Sequence, residues 1–311
     1  MDNEHVDVVI AGGGPGGLNA ALVLGRSLKK VLVIDEDRPR NSATLRSHGF
    51  LTRDGASPDE IREIAREQLK TYPNVTFIKD VVEDVERKNG LFMVKTRNGK
   101  MASGRKMIFA TGMKDHLPDI PGLDKVYGKT VFHCPYCDGW ERQHDPIALF
   151  ADGKALLPFV KLIFNWSKDL IVFSNGPAGI TAEEKKQLMH YNIPLIETPI
   201  ANLQSTDGQL ENVVLQNGDS IRRTGGFMAS TGERQGSSLP ARLGIRLNDQ
   251  HEYVTGQHGQ TEIKDLFIIG DAKNTFTSLV GAASQGYEAA VKINGDFAAE
   301  NWAAGLKTTS H

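Results

Sequence analysis

The sequence predicts an α/β fold of two domains, each opening with a β-α-β unit, the first domain being interrupted by the second. Three observations carry this. Val6 to Ile10 is an apolar run that meets a glycine cluster, an Ala/Leu-rich segment reaching Leu28 and a second apolar run, Val31 to Ile34, ending in Asp35. The same order recurs as Ile147 to Ala151, Lys154 to Trp166 and Leu170 to Phe173. Near the end, Leu266 to Ile269 runs into Gly270-Asp271 and a Gly/Ala-rich helix from about Val280 to Ala299, which returns the chain to the first domain. The expected division is residues 1–117 with 240–311, against residues 118–239. A chain of 311 residues exceeds the usual size of one domain.

Gly12, Gly14 and Gly17 satisfy G-x-G-x-x-G, with Pro15 inside the motif. The first glycine permits a tight turn, the second lets a pyrophosphate approach the backbone, and the third lets helix and strand pack closely. The helix N-terminus offers its N–H groups to phosphate. Asp35 stands close to the distance at which an acid accepts from the adenosine ribose. The first domain is therefore read as Rossmann-like and dinucleotide-binding.

Arg38 to Gly55 is a polar, glycine-containing loop suited to wrapping a ligand. Pro58 to Lys70 is an amphipathic helix with Ile61, Ile64, Ala65 and Leu69 on one side. Val75 to Ile78, Val81 to Val85, Phe92 to Thr96 and Lys106 to Ala110 are short strands. Asn89-Gly90 and Asn98-Gly99 are turn signals, so these strands are expected as antiparallel hairpins appended to a parallel sheet. Ala110-Thr111-Gly112 closes the last strand in a small-residue turn, and Leu117 to Gly122 reads as a linker.

In the second β-α-β unit the glycines are lost. Ala151-Asp152-Gly153-Lys154-Ala155 stands where a phosphate loop belongs, with one glycine and an acid that repels a pyrophosphate. Ser174-Asn175-Gly176 follows the next strand without an arginine pair for a 2′-phosphate. Thr181 N-caps a helix to Tyr191, and Leu203 to Ile221 is hairpin-like.

The two cysteines of the chain form Cys134-Pro135-Tyr136-Cys137, followed by Asp138. Such a pair closes a disulfide reversibly, with one sulfur available as thiolate near neutral pH. Half a zinc site and two merely packed cysteines are the competing readings. Zinc needs four ligands, and neither a second C-x-x-C nor an H-x3-H pair is found, so no metal is expected. Net charge is -2 without a basic block, which argues against a nucleic-acid partner. The apolar runs are too short for a bilayer and the first residues do not read as a signal peptide, so a soluble cytoplasmic protein is expected. Asp271, at a strand end beside a helix, is placed to accept from a polyol hydroxyl such as a flavin ribityl chain, or else to act as an N-cap.

The glycine motif at Gly12 to Gly17, Ala110-Thr111-Gly112, Cys134 to Asp138 and Gly270-Asp271, in that order, resemble the low-molecular-weight thioredoxin reductase family of flavoproteins. The run Cys134 to Glu141, with Pro39-Arg40-Asn41 and His48-Gly49-Phe50, is most similar to a branch that includes the dithiol oxidases of gliotoxin and holomycin biosynthesis. The resemblance implies an FAD domain interrupted by a smaller NAD(P)H-type domain, and a homodimer. It implies FAD held by Gly12, Gly14, Pro15, Gly17, Asp35, Asn41, Thr111, Gly112, Gly270 and Asp271. Cys137 would lie against the flavin, Cys134 would attack the substrate disulfide, and Asp138 would supply or accept the proton. His48 is a further acid/base candidate, and His133 is comparable. NADPH is the family's donor, placed in question by the eroded second loop, with a ferredoxin or flavodoxin as substitute. Ser278-Leu279-Val280 replaces the family's Arg-Gln-Ala. The partner would be a thioredoxin-like protein or a small disulfide. A dithiol oxidase using oxygen and a low-turnover redox sensor are the alternatives.

Overall fold

Val6 to Ala11 is almost continuously apolar because strand β1 (Glu4–Ala11) is covered on both faces. Val9 and Ala11 enter one core with Leu32 and Phe109, whereas Val8 and Ile10 enter another with Leu24 and Phe267. A parallel strand buried twice shows no polar alternation. The computed structural model describes residues 4–275 and 277–308. Helix α1 (Pro15–Arg26) follows the glycine turn, and β2 (Val31–Asp35) pairs parallel to β1 with Leu32 opposite Val9.

A one-turn 3-10 helix, Arg40–Ala43, interrupts the expected loop, and α2 (Pro58–Leu69) follows. Strand β3 (Val75–Lys79) then pairs parallel to β2. This corrects the expectation that Val75 to Ile78 belongs to a hairpin. Apolar alternation fixes a strand but not its partner, and here a helix rather than a tight turn leads into it. Strands β4 (Val82–Lys88) and β5 (Leu91–Thr96) do form the hairpin, with φ of 52° at Asn89 and 80° at Gly90 as a primed turn requires. Strand β6 (Met101–Phe109) is antiparallel to β5 through Met101 to Gly104 and parallel to β1 along its length. β7 (Met113–Lys114) ends this segment.

The chain continues through α3 (Leu123–Val126), β8 (Val131–Phe132), α4 (Pro135–Asp138), β9 (Ile147–Phe150), α5 (Leu156–Ile163) and β10 (Leu170–Phe173). Next come α6 (Ala182–His190), β11 (Leu195–Ile196), β12 (Ile200–Thr206), β13 (Gln209–Leu215), β14 (Ser220–Arg222) and β15 (Gly225–Met228). A five-stranded sheet orders β11-β10-β9-β15-β8, and β12-β13-β14 is a separate antiparallel sheet. Ile147 and Leu149 of β9 face one core, and Ala148 and Phe150 the other. Helix α5 is shorter than the expected Lys154 to Trp166, since Gly153 has a φ of +54° and Gly153–Ala155 is a 3-10 turn. Thr181 caps α6 as expected and completes a capping box with Glu184.

After β16 (Arg234–Gln235), antiparallel to β7, and α7 (Leu239–Arg242), strand β17 (Leu266–Ile268) pairs parallel to β6 where β5 has left it. The larger sheet thus orders β3-β2-β1-β6-β5-β4 with β17 on β6. Helix α8 (Leu279–Thr308) is longer than expected: no proline follows Ala299 to stop it, and Ala303, Ala304, Leu306 and Lys307 favour its continuation past Gly305. It lies close to α1: a Cβ on Gly286 would stand 2.1 Å from the Gly16 carbonyl oxygen. Lys106, buried in β6, ties α8 to the sheet through Glu300 (3.1 Å) and also meets Asp265 (2.5 Å).

Two compact units result: Met1–Arg40 with Asp59–Lys114 and Arg234–His311, and Asn41–Pro58 with Asp115–Glu233. No helix among the described residues is long and apolar enough to cross a membrane.

Candidate functional site

In the first unit the glycine loop is shaped by close backbone approaches. Gly12 has a φ of +106°, and a Cβ there would stand 2.3 Å from the Ala110 carbonyl oxygen. A Cβ on Gly17 would stand 2.0 Å from the Gly12 carbonyl oxygen, so the first turn of α1 packs directly on the loop. On Gly14, the residue preceding α1, a Cβ would meet nothing within 4 Å, and the outer side of the turn is open. Pro15 occupies the first helical position, and the first turn of α1 carries neither an acid nor a side-chain cap. Anion-seeking backbone donors therefore meet no competing carboxylate there.

Asp35 is held on one oxygen by the Gly13 N–H (3.0 Å) and on the other by Arg66 (3.0 Å). Thr111 Oγ1 is buried without a hydrogen-bonding partner among the described residues, and the open side of Gly112 adjoins it. The Gly270 N–H donates to Gln285 Oε1 at 2.7 Å. Asp271 lies in a 3-10 turn, eight residues before α8, and pairs with Arg40 at 3.4 Å. It is not the N-cap of that helix. The open turn, the oriented carboxylate and the orphaned hydroxyl fit a dinucleotide of the FAD type. Asn41 sits in the 3-10 turn Arg40–Ala43 and groups with the second unit.

In the second unit Cys134 and Cys137 are joined by a disulfide, their Cα atoms 5.2 Å apart. The Cys134 carbonyl accepts from the N–H groups of Cys137 (3.1 Å) and Asp138 (3.2 Å), which winds the motif into α4. Gly139 is required below it: a Cβ would stand 2.4 Å from the Pro135 carbonyl oxygen and 3.0 Å from the Trp166 ring. Tyr136, largely exposed, meets Trp166 edge-on at 5.5 Å.

Burial pushes the Asp138 carboxyl up to about 7; Glu141 adds to this by repulsion, and Arg142 opposes it. A carboxyl at that value both gives and takes a proton near neutrality. His48 stands with Nε2 3.6 Å from Glu141 and Nδ1 3.8 Å from Asp54, so it joins the acidic group around Asp138 through Glu141. On the other side of the cysteines, His133 Nδ1 lies 2.9 Å from Tyr127 Oη, which donates to Asp115 at 3.0 Å. Glu141, Tyr127 and Asp115 escaped the sequence reading because nothing in their spacing marks them; Arg66 and Gln285 escaped it likewise.

The second β-α-β loop does not fit a dinucleotide in the manner of the first. The Gly153 N–H donates to the Ala178 carbonyl (2.8 Å), and the Ala178 N–H donates to Glu197 (2.9 Å), itself paired with Lys185. Asn175 and Ser174, at the end of β10, are turned to Ile200 N and the Gly176 carbonyl.

Residues 6–157 match the family described as pyridine nucleotide-disulphide oxidoreductase. Over 305 residues the chain is 31% identical to a candidate thioredoxin reductase of Arthroderma benhamiae, covering 87% of this chain and 75% of that one. A Bacillus anthracis structure, TrxB, described as a candidate thioredoxin reductase, superposes with a TM-score of 0.91 at 36% identity, over 95% of this chain and 99% of that one. The crystal structure of HlmI superposes with a TM-score of 0.93 at 31% identity, over 98% of this chain and 96% of that one. With its dinucleotide turn, its C-x-x-C disulfide and these relatives, the chain belongs to the thioredoxin reductase-like pyridine nucleotide-disulphide oxidoreductases, FAD-dependent enzymes that act on sulfur groups.

Proposed function

We propose that this enzyme moves electron pairs between FAD and a substrate disulfide through Cys134 and Cys137, with NADPH, the family's donor, as the electron source. FAD, when bound, supplies the two-electron chemistry. Gly12, Gly14, Pro15, Gly17, Asp35, Thr111, Gly112, Gly270 and Asp271 would hold it, and Asn41 is a further candidate by the family resemblance. Cys134 is the sulfur that meets the substrate, forming and resolving a mixed disulfide, while Cys137 is the inner sulfur. Asp138 exchanges the proton of the inner thiol. His48 acts on that proton indirectly, through Glu141. The substrate is a thioredoxin-like protein or a small disulfide, and the enzyme works in the cytoplasm as a homodimer. The observation that carries the proposal is the disulfide followed directly by a carboxyl poised at about 7.

A second reading runs the same exchange in the opposite direction, as a dithiol oxidase ending on oxygen. It is favoured by the second loop, whose backbone donors are already engaged within their own unit. Anaerobic titration separates the two. Bleaching of the flavin by NADPH supports the reductase; bleaching only by a small dithiol, with peroxide released on admitting air, supports the oxidase. A flavin that neither donor bleaches, although dithionite does, overturns both.

A further inference from the structure

Strand β2 runs out into three consecutive acids, Asp35-Glu36-Asp37, and each is met by a base from elsewhere in the first unit. Glu36 pairs with Lys114 at 3.2 Å. Asp37, at a φ of +63°, gathers Arg62 (2.9 Å) and Arg66 (3.0 Å) from α2 and Lys79 (3.0 Å) from the end of β3. The bond from Lys79, helped by both guanidinium groups and opposed by burial, holds the Asp37 carboxyl below the usual carboxylate range. Asp35 depends on Arg66 alone among these bases: one nitrogen, Nη2, stands 3.0 Å from Asp35 Oδ2 and 3.0 Å from Asp37 Oδ1. An ionised carboxylate has about four acceptor places, two on each oxygen. The Gly13 N–H takes one on Oδ1 and Arg66 takes one on Oδ2, so among the described residues each Asp35 oxygen keeps one place open. That count suits a pair of neighbouring hydroxyls, as on an adenosine ribose.

We infer that Arg66 is a positioning residue for the FAD site, fixing the Asp35 carboxylate so that both its oxygens accept from the ribose hydroxyls and the site selects a ligand with an unmodified cis-diol; this rests on the reading of Asp35 as a residue that holds FAD. With only the Gly13 N–H as a partner, the carboxylate is pinned at one oxygen and free to turn at the other. A charge-assisted bond from a guanidinium is directional and stops that rotation. Two carboxylates that share one nitrogen also stand close enough to repel, and the cation between them cancels a repulsion that an uncharged diol cannot. The tie between α2 and the strand end does not depend on Arg66. Arg62 and Lys79 hold Asp37 without it, and Arg62 meets Asp59 as well, at 2.8 Å. Removing Arg66 therefore leaves Asp37 neutralised and deprives Asp35 of its cation.

The test uses the full-length holoenzyme, diluted so that release of FAD is followed as recovery of flavin fluorescence and not by turnover. R66A should release FAD about tenfold faster than the wild type, the effect of one lost charge-assisted hydrogen bond. Where a variant purifies without flavin, the same signal is read as FAD is added back. R62A keeps the bond between Arg66 and Asp35 and should stay within about twofold of the wild type, whereas an Arg66 that only holds α2 in place predicts that R62A behaves like R66A. As competitors for FAD rebinding, ADP should outbind 2′,3′-dideoxy-ADP in the wild type, and R66A should lose about tenfold of that preference; a loosened fold weakens both competitors alike. In a D35A background, R66A should add less than about twofold, because it acts through the residue already removed. Release from R66A within about twofold of the wild type, an R62A defect equal to that of R66A, an unchanged preference for ADP, or a full R66A effect in D35A each overturn the assignment. The functional reading fails separately: D35A must itself speed the release of FAD, and if it does not, Asp35 does not hold the cofactor whatever Arg66 does.

Discussion

Replacing Asp138 by Asn should flatten the pH dependence of stability, and the size of the effect follows from the buried carboxyl. In the folded protein this group titrates at about 7 rather than 3.8, chiefly because burial disfavours its charged form. Below about pH 4 the carboxyl is protonated folded or unfolded and makes no difference. As the pH rises, the unfolded chain releases this proton first, so folding is progressively disfavoured until about pH 7, where the penalty levels off near 4 kcal/mol. Between about pH 5 and pH 8 the wild type should lose about 2.5 kcal/mol through this one group. D138N keeps the shape of the side chain and removes its titration, so it should be less pH-sensitive by that amount and more stable than wild type at the alkaline end. Urea unfolding followed by tryptophan fluorescence is a suitable assay, since Trp140 and Trp166 flank the motif in sequence and space. Comparing variant with wild type at the two pH values cancels every other titration distant from the site. Equal slopes in the two proteins would show that Asp138 is ionised and solvated in the folded state, and would remove it as the proton donor at the inner sulfur.

Three further outcomes are expected. Cys137→Ser should abolish the long-wavelength thiolate-flavin absorbance on partial reduction while Cys134→Ser retains it; the opposite pattern reverses the inner and outer sulfurs. Gly12→Ala places a Cβ 2.3 Å from the Ala110 carbonyl oxygen at a φ of +106°, a strain of about 1 to 3 kcal/mol. The purified variant should carry less flavin per polypeptide, measured as the ratio of visible to ultraviolet absorbance. Thr181→Ala removes the side-chain acceptor of the capping box on α6 and leaves the bond from its backbone N–H to Glu184; it should lower stability by about 1 kcal/mol, read from the urea midpoint.

What the sequence made legible were features enforced by local chemistry. Gly12 and Gly17 announce themselves because only glycine survives those carbonyl approaches, Thr181 because a hydroxyl before Ala-Glu-Glu satisfies helix N–H groups, and Asn89-Gly90 because both residues adopt positive φ. Features set by distant segments were not legible. The parallel pairing of β3 depends on β2, a partner that alternation does not name. Arg66 reaches Asp35 across 31 residues, and Asp115 reaches Thr231 across 116. Glu141 could be read as an ordinary surface acid until the fold set it beside both Asp138 and His48. The cysteine pair stood between these cases: its redox chemistry was evident from spacing, Asp138, His48 and His133 entered as proton partners only through the family resemblance, and the role of Glu141 beside them was not legible.

The indole of Trp166 gives the reactive turn a floor. Where position 139 lacks a side chain, the loop can settle onto that flat ring until backbone and aromatic atoms touch. The height of the sulfurs above the sheet is then dictated by a residue 29 positions downstream of Cys137. Lineages that alter one of these two positions are therefore expected to alter the other, trading a bulkier loop for a smaller platform.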